Sequence, residues 1–462
     1  MTAHVERGNW MQLKRRQWLN VFLLPSAGWT LILILVHQSI VAASSFYLTR
    51  LIEAFQHQGE YGTYLIFYLT AMLVPYLPGC TSLFTLQLWI NDAHRRFTTR
   101  FSNAAYGRTE MHRDSDLRET VESVAARNSF MAIKDYLTFI HGFVGFSLNS
   151  ALSMLVLSAL LPGHLFSGYV ISLALSVVLI LLLRGTVGRQ STRTENEFIA
   201  YSESLSRIWE NSTLGNHYNY QLWQSSRDRH ASQYYRQSNK LQLLKQSGNL
   251  ALAVAALLPT IYLISEAVRS AMTEPTLVAA IIVNLTRVFH ILGSLSALVY
   301  QLLDFSAMNS RLRVMFETER MFSEPSNLPN SPCGEIFLNG NPVHDYISVT
   351  MSVRSSNQGR FTVRGANGAG KSTLLHVLKK ALADDAVLLP AQHGRLEWQH
   401  ESKTLSTGQK TLAQLQEISN HTDVKYLLLD EWDANLDSDN KCAISEMLDL
   451  LSQSRVVVEI RH

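Results

Sequence analysis

Apolar positions form long runs over the first three hundred residues of this chain and short ones after residue 330. Val21 to Leu48 contains no Asp, Glu, Lys or Arg, and "VISLALSVVLILLL", Val170 to Leu183, is broken only by serines. A helix crossing the hydrocarbon core of a bilayer needs about 20 such residues. Six segments are candidates, at about 22–47, 62–89, 138–162, 168–183, 248–267 and 277–303. A large soluble helical protein is the alternative, and runs this apolar argue against it. The first run is longer than the roughly 7–15-residue core of a signal peptide and lacks a small-residue cleavage site. It predicts a retained first membrane helix.

The basic residues lie between the runs and set the predicted orientation. Lys14, Arg15 and Arg16, the Arg-rich segment 95–134 and the segment 184–245 are expected in the cytoplasm. The connections near 50–60, 162–168 and 266–276 are short and poor in positive charge, as outside loops are. Six spans then leave both termini inside. The two cytoplasmic segments lack clusters of Pro and Gly, so they read as helices. Folded as hairpins, they would reach roughly 30–45 Å beyond the bilayer. Their tips, "GRTEMHRDSDLRE" (Gly107 to Glu119) and "ENSTLGNHYNYQ" (Glu210 to Gln221), read either as capped, solvated turns or as coupling elements that press on another domain.

The stretch "SEPSNLPNSPCGE", Ser323 to Glu335, is rich in Ser, Pro and Asn and marks a boundary. It predicts an α-helical membrane part over 1–322, a linker over 323–335 and a compact α/β domain over 336–462. "RFTVRG" reads as a strand, "GANGAGKST" as a turn and "STLLHVLKKALA" as a helix, the context a P-loop requires. Gly365, four intervening residues, Gly370, Lys371 and Ser372 complete its spacing, with Asn367, Gly368, Ala369 and Thr373 forming the rest of the cradle. Glycines let successive N–H groups turn onto phosphate oxygens, and the N-terminus of the following helix adds partial positive charge. Lys371 is expected to reach the β- and γ-phosphates of ATP, and Ser372 to ligate Mg2+. A second strand, "KYLLLDE", ends in two acids. Asp430 suits Mg2+, and Glu431 is placed to polarise an attacking water.

Between these two motifs lies "TLSTGQKTLAQL", Thr404 to Leu415, and around them lie Gln392 in "LPAQHG", "ANLD" at 434–437 and His462 after "RVVVEI". With these elements in this order, residues 360–462 resemble the nucleotide-binding cassette of the ABC transporter family. On architecture alone, residues 15–320 resemble its exporter-type membrane domain. The resemblance implies that Ser406, Thr407, Gly408 and Gln409 form the signature loop, reaching the γ-phosphate held by a second subunit. It implies that Gln392 is a Q-loop glutamine near Mg2+ and that Asp437 belongs to the D-loop. His462 would be the switch histidine, a frayed terminal residue being the alternative. It further implies two cassettes closing on two ATP molecules. One cassette per chain then predicts a homodimer, a heterodimeric partner being the alternative. The implied activity is ATP-driven export of a peptide-like, natural-product or lipid substrate, in a multi-pass protein of a bacterial-type plasma membrane. A nucleotide-gated channel or sensor, or an importer of exporter fold, are the competing readings.

The chain departs from the family pattern in four places. Only the thirteen residues 393–405 separate Gln392 from Ser406, where the family carries a helical subdomain. Thr407 replaces a glycine, which costs conformational freedom if its φ must be positive and is tolerated at a helical φ, and predicts reduced rather than abolished turnover. The adenine-stacking aromatic is open between Tyr346 and Phe337, with core packing the alternative for Tyr346. The negative charge of a carboxylate following His462 would stand near the γ-phosphate, with Arg461 placed to neutralise it.

Composition narrows the classes further. A formal net charge of +3 over 462 residues is too small, and its basic residues too scattered, to predict nucleic acid as a partner. Cys80, Cys333 and Cys442 match no metal-binding spacing and are expected as free thiols. In "IIVNLTRVFHILGS", Asn284, Arg287 and Ser294 share a helical stripe with His290 beside it. That stripe reads either as a cargo-lining face or as a set of interhelical hydrogen bonds. Asn149 and Gln87 are weaker candidates of the same kind.

Overall fold

The computed structural model describes residues 18–112, 114–122, 124, 129–160, 163–270, 293, 305, 308–309, 311–323, 328–391, 396–399, 406–421, 423–433 and 436–461. It is mostly helical, with several long apolar helices and a small mixed sheet near the C-terminal end. The chain divides into two compact units, one of residues 1–100 and 123–317, the other of 101–122 and 318–462.

The first unit is built from helices. These are α1 (Pro25–Gln56), α2 (Gly62–Leu73), most of α3 (Tyr76–Ala105), α5 (Ser129–Leu160), α6 (Gly163–Ser206), α7 (Ile208–Thr213) and α8 (His217–Ser270). Pro25 opens α1, where its missing N–H costs nothing. Among the described residues, four helices are long and apolar enough to cross a membrane: Pro25–Gln56, Gly62–Ala105, Ser129–Val156 and His217–Pro259. A fifth is reached if Val170–Leu183 and Gly185–Ser206, bent by 45°, count as one span. The expected sixth, 277–303, lies almost wholly outside the described residues. Many apolar side chains on these helices face outward, with Leu181 and Leu182 64% and 71% exposed. Chemistry of that kind on a helix surface suggests a membrane protein.

Helices α6 and α8 form the long hairpin expected of segment 184–245. Gln190 Nε2 donates to Gln237 Oε1 at 3.0 Å, and the Trp223 indole N–H donates to Ser204 O at 2.8 Å. Its tip is α7 followed by Gly215, whose φ of +70° closes the turn. Asn149 is buried and donates to Gln38 Oε1 at 2.8 Å, joining α5 to α1. Gln87 bonds Asn91 one turn along its own helix. Asn149 therefore makes the interhelical hydrogen bond that was one of its two readings. The stripe of Asn284, Arg287, His290 and Ser294 lies outside the described residues.

The second unit holds a six-stranded sheet. It comprises β1 (Ile336–Leu338), β2 (Asn341–Pro342), β3 (Gly359–Gly365), β4 (Ala386–Leu389), β5 (Tyr426–Leu429) and β6 (Val456–Ile460), in the order β2-β1-β3-β6-β5-β4. Four strands, β3, β6, β5 and β4, run parallel, and β1 and β2 close the edge antiparallel. Parallel strands are buried on both faces, and the alternation within them divides accordingly. Val456, Val458, Tyr426, Leu428 and Val363 join a core beneath α9 (Tyr346–Ser355) and α10 (Lys371–Leu382). Val457, Leu427 and Leu429 join a second core beneath α11 (Thr407–His421) and α12 (Ser438–Ser452). Segment 101–122 folds with this unit and includes a turn of 3-10 helix at Thr109–Met111 and the short α4 (Ser115–Glu122).

Candidate nucleotide site

Strand β3 delivers the chain into the loop 366–370, and α10 begins at Lys371. Gly368 and Gly370 hold φ of +81° and +106°, which favours glycine at both. Gly365 approaches the preceding segment so closely that a Cβ would lie 2.7 Å from Glu335 O. The Lys371 ammonium folds over the loop and donates to Gly365 O at 2.8 Å and Ala366 O at 3.2 Å. Ser372 Oγ donates to Asp430 Oδ1 at 3.0 Å, across 58 positions of sequence. Asp430 follows β5, and its N–H donates to Leu389 O at 2.9 Å. The hydroxyl and the carboxylate expected to share Mg2+ are thus in contact, and both are oxygen donors of the hard kind that ion takes. Glu431 follows with φ +46°, left-handed backbone for a non-glycine residue.

The segment before the domain folds onto this loop. Cys333 N and Gly334 N donate to Ala369 O at 3.1 and 3.2 Å, and Tyr346 N donates to Asn330 O at 2.9 Å. Residues 330–334 of the Ser/Pro/Asn-rich stretch therefore brace the P-loop.

Tyr346 packs in the core. Its ring is 1% exposed in the core under α10, and its hydroxyl donates to Gly370 O at 3.0 Å, propping the loop from below. Asp345 caps α9 by accepting from Ser348 N, and that bond comes first among the causes holding its carboxyl below the ordinary range. Phe337 is the aromatic that faces outward. With Cys333, Gly334, Glu335, Gly365 and the loop residues 366–369 it lines an open hollow of about 440 Å³. The adenine-facing candidate is therefore Phe337.

Ser406 and Gln409 form a reciprocal capping box. Gln409 Oε1 accepts from Ser406 N at 3.1 Å, and Ser406 Oγ from Gln409 N at 3.4 Å. Thr407 is the first residue of α11, so its backbone is helical and carries no left-handed strain. Gly408 is buried against α12, where an added Cβ would come within 2.6 Å of the Asn440 side chain. Asn440 is held in turn by Asp437, the N-cap of α12, which accepts from its backbone N–H and its side-chain amide at 2.8 Å each. These two bonds, the backbone one first, keep the Asp437 carboxyl below its ordinary range. The signature-like and D-loop-like segments are thus packed together. Gln392, Ala434, Asn435 and His462 lie outside the described residues.

Three features lie outside the nucleotide motifs, the first being the tip at 107–119, which the sequence left open between a solvated turn and an element that presses on another domain. Segment 101–122 sits directly on α10. Tyr106 OH donates to Asp384 Oδ1 at 3.0 Å, Thr109 Oγ1 donates to His376 O at 3.3 Å, and Glu110 lies 3.5 Å from Lys380. The rings of His112 and His376 stand 5.5 Å apart. The second feature is Glu459 in the centre of β6, 1% exposed and surrounded by Arg360, Arg461, Thr362 and Trp432. Burial pushes its carboxyl up, but the hydrogen bonds and charge of Arg360, with Trp432 and Arg461, outweigh that and hold it below its ordinary value. The third is Trp432, buried beside Glu431. A lone acid inside "VVVEI" was the available signal, because a charge on a central strand needs a partner.

No family model and no curated protein matches the chain.

Proposed function

We propose that the chain is one half of an ATP-driven transporter of ABC exporter type, hydrolysing Mg-ATP at the P-loop and working as a dimer of two copies. The observation that carries this reading is the contact between Ser372 and Asp430 at the mouth of the P-loop, with Lys371 beside it. A full P-loop, an acid pair closing a strand and a buried signature-like glycine occur together in one unit, and the other unit carries long apolar helices. When bound, Mg2+ would neutralise charge on the phosphates. Ser372 and Asp430 would hold it, Lys371 would bind the β- and γ-phosphates, and Glu431 would orient and deprotonate the attacking water. Gln392 and His462 keep the roles the resemblance implies, as Mg2+ contact and γ-phosphate sensor. The second copy would contribute Ser406 to Gln409 to each phosphate.

The packing of segment 101–122 on α10 supports coupling through the phosphate site itself. This segment continues the apolar helix α3, and α10 is the helix whose N-terminus would face the phosphates. With little chain between Gln392 and Ser406 to build a docking subdomain, α10 takes that part. The cargo class remains peptide-like, natural-product or lipid, and the membrane a bacterial-type plasma membrane.

Inside-out membrane vesicles test the pump. They are incubated with Mg-ATP and a pooled extract of peptides and small molecules, and retained solutes are compared by untargeted mass spectrometry for wild type and Glu431→Gln. ATP-dependent accumulation by wild type alone is expected. Equal equilibration by both proteins, with accumulation by neither, is the channel result and overturns the pump. Accumulation only in right-side-out vesicles is the importer result and overturns the direction.

A further inference from the structure

Glu431 is held in left-handed backbone, a conformation a non-glycine residue keeps only where its surroundings over-determine it. The residue that anchors this turn is the next one. Trp432 is buried, and its indole N–H donates to Glu459 Oε2 at 2.9 Å. Glu459 lies opposite Thr362 of β3 and Leu429 of β5, so it stands between the strand that enters the P-loop and the strand that ends at Asp430. Arg360 grips both carboxylate oxygens, Nε to Oε1 and Nη2 to Oε2 at 2.9 Å each, and Thr362 Oγ1 donates to Oε1 at 3.0 Å. Arg360 is itself fixed by Asp449 of α12 at 2.6 Å. Arg461 closes the cluster from the other side. Its guanidinium lies over the Trp432 ring at 5.3 Å from the centroid, its Nε is 3.0 Å from Glu459 Oε1, and its Nη2 donates to Ser445 Oγ at 3.1 Å. That 3.0 Å approach is an ion pair without hydrogen-bond alignment.

Packing alone would be served as well by an apolar residue at 459, as at Val457 on the same face. A charged acceptor does something a valine cannot: it fixes the rotation of the indole, because Trp432 has one donor and Glu459 Oε2 receives it. We propose that Glu459, Arg360 and Arg461 act through Trp432 as positioning residues that hold the Glu431 turn in its left-handed form. The cluster ties the Glu431 carboxylate to the same strand that carries the P-loop. None of the four touches the reacting atoms. The proposal rests on the reading of Glu431 as the residue that orients the attacking water.

Trp432→Phe tests it in the full chain in lipid nanodiscs, because phenylalanine keeps a buried ring and deletes the donor. The expected result is a kcat for ATP hydrolysis about tenfold lower, with KM for ATP changed by less than about twofold. Faster amide exchange at 431–433 is expected with it, while exchange in β3 and α10 is unchanged. A purely structural role would instead raise exchange across the sheet or shift KM. Wild-type kcat in Trp432→Phe, or a loss of ATP binding equal to the loss of turnover, overturns the proposal. If the wild type itself does not hydrolyse ATP, the ATPase reading fails, and the exchange comparison still decides the cluster's effect on the turn: equal exchange at 431–433 overturns it. Should Trp432→Phe not fold, Arg461→Lys keeps the charge and loses the flat guanidinium over the indole. A lowered kcat at unchanged KM is expected there, and unchanged kcat overturns the proposal.

Discussion

Glu431→Gln is expected to bind ATP as the wild type does and to hydrolyse it about 10²–10⁴-fold more slowly, the range a positioned general base contributes. The amide fills the space of the carboxylate, so neither the P-loop nor the contact of Ser372 with Asp430 is disturbed. The loss is expected on kcat, because the interaction removed would be made with the attacking water. Equilibrium binding of a fluorescent ATP analogue and phosphate release, measured on the same preparation, separate the two. A Glu431→Gln protein with wild-type turnover would assign the base to another residue.

Arg360→Met is expected to cost about 3 kcal/mol of the stability of the C-terminal unit, the scale set by stranding a buried charge. Its partner Glu459 is 1% exposed, and the carboxylate keeps only Trp432, Thr362 and the misaligned Arg461 when Arg360 is gone. Removing both charges in Arg360→Met/Glu459→Met recovers much of the loss, since two apolar side chains carry no desolvation penalty. Urea-dependent hydrogen exchange of the β5 and β6 amides reads the local free energy in each variant. Simple addition of the two single losses would show that the residues do not interact.

The two kinds of apolar run were legible because bilayer thickness and sheet burial each impose a length. Runs of about 20 residues appear as α1, α3, α5 and α8, and runs of four or five appear as β4, β5 and β6. The break near Pro75 divides 62–89 into α2 and α3, which hydropathy alone does not mark. Ser372 and Asp430 were found by their motifs because local spacing prescribes a cradle and a strand end. Tyr346 stayed open between adenine stacking and core packing because its place under Gly370 depends on the path of 330–346, which no local pattern encodes. For the tip at 107–119 the sequence offered a docking element as one of two readings, but not its partner α10, because Thr109 and His376 meet across 267 positions. Glu459 could have been flagged, but its partners Arg360 and Trp432 come from β3 and from the turn after β5, and only strand order brings them together.

The measurement that bears most directly on the central claim is phosphate release from Mg-ATP by the full chain in lipid vesicles, for wild type and Lys371→Ala. Lys371 is 5% exposed and lies over the loop with its ammonium on Gly365 and Ala366. Its removal takes away the charge that would meet the β- and γ-phosphates. The account predicts Mg2+-dependent hydrolysis by the wild type and a loss of at least about 100-fold in Lys371→Ala. Equal phosphate release by the two proteins would contradict it.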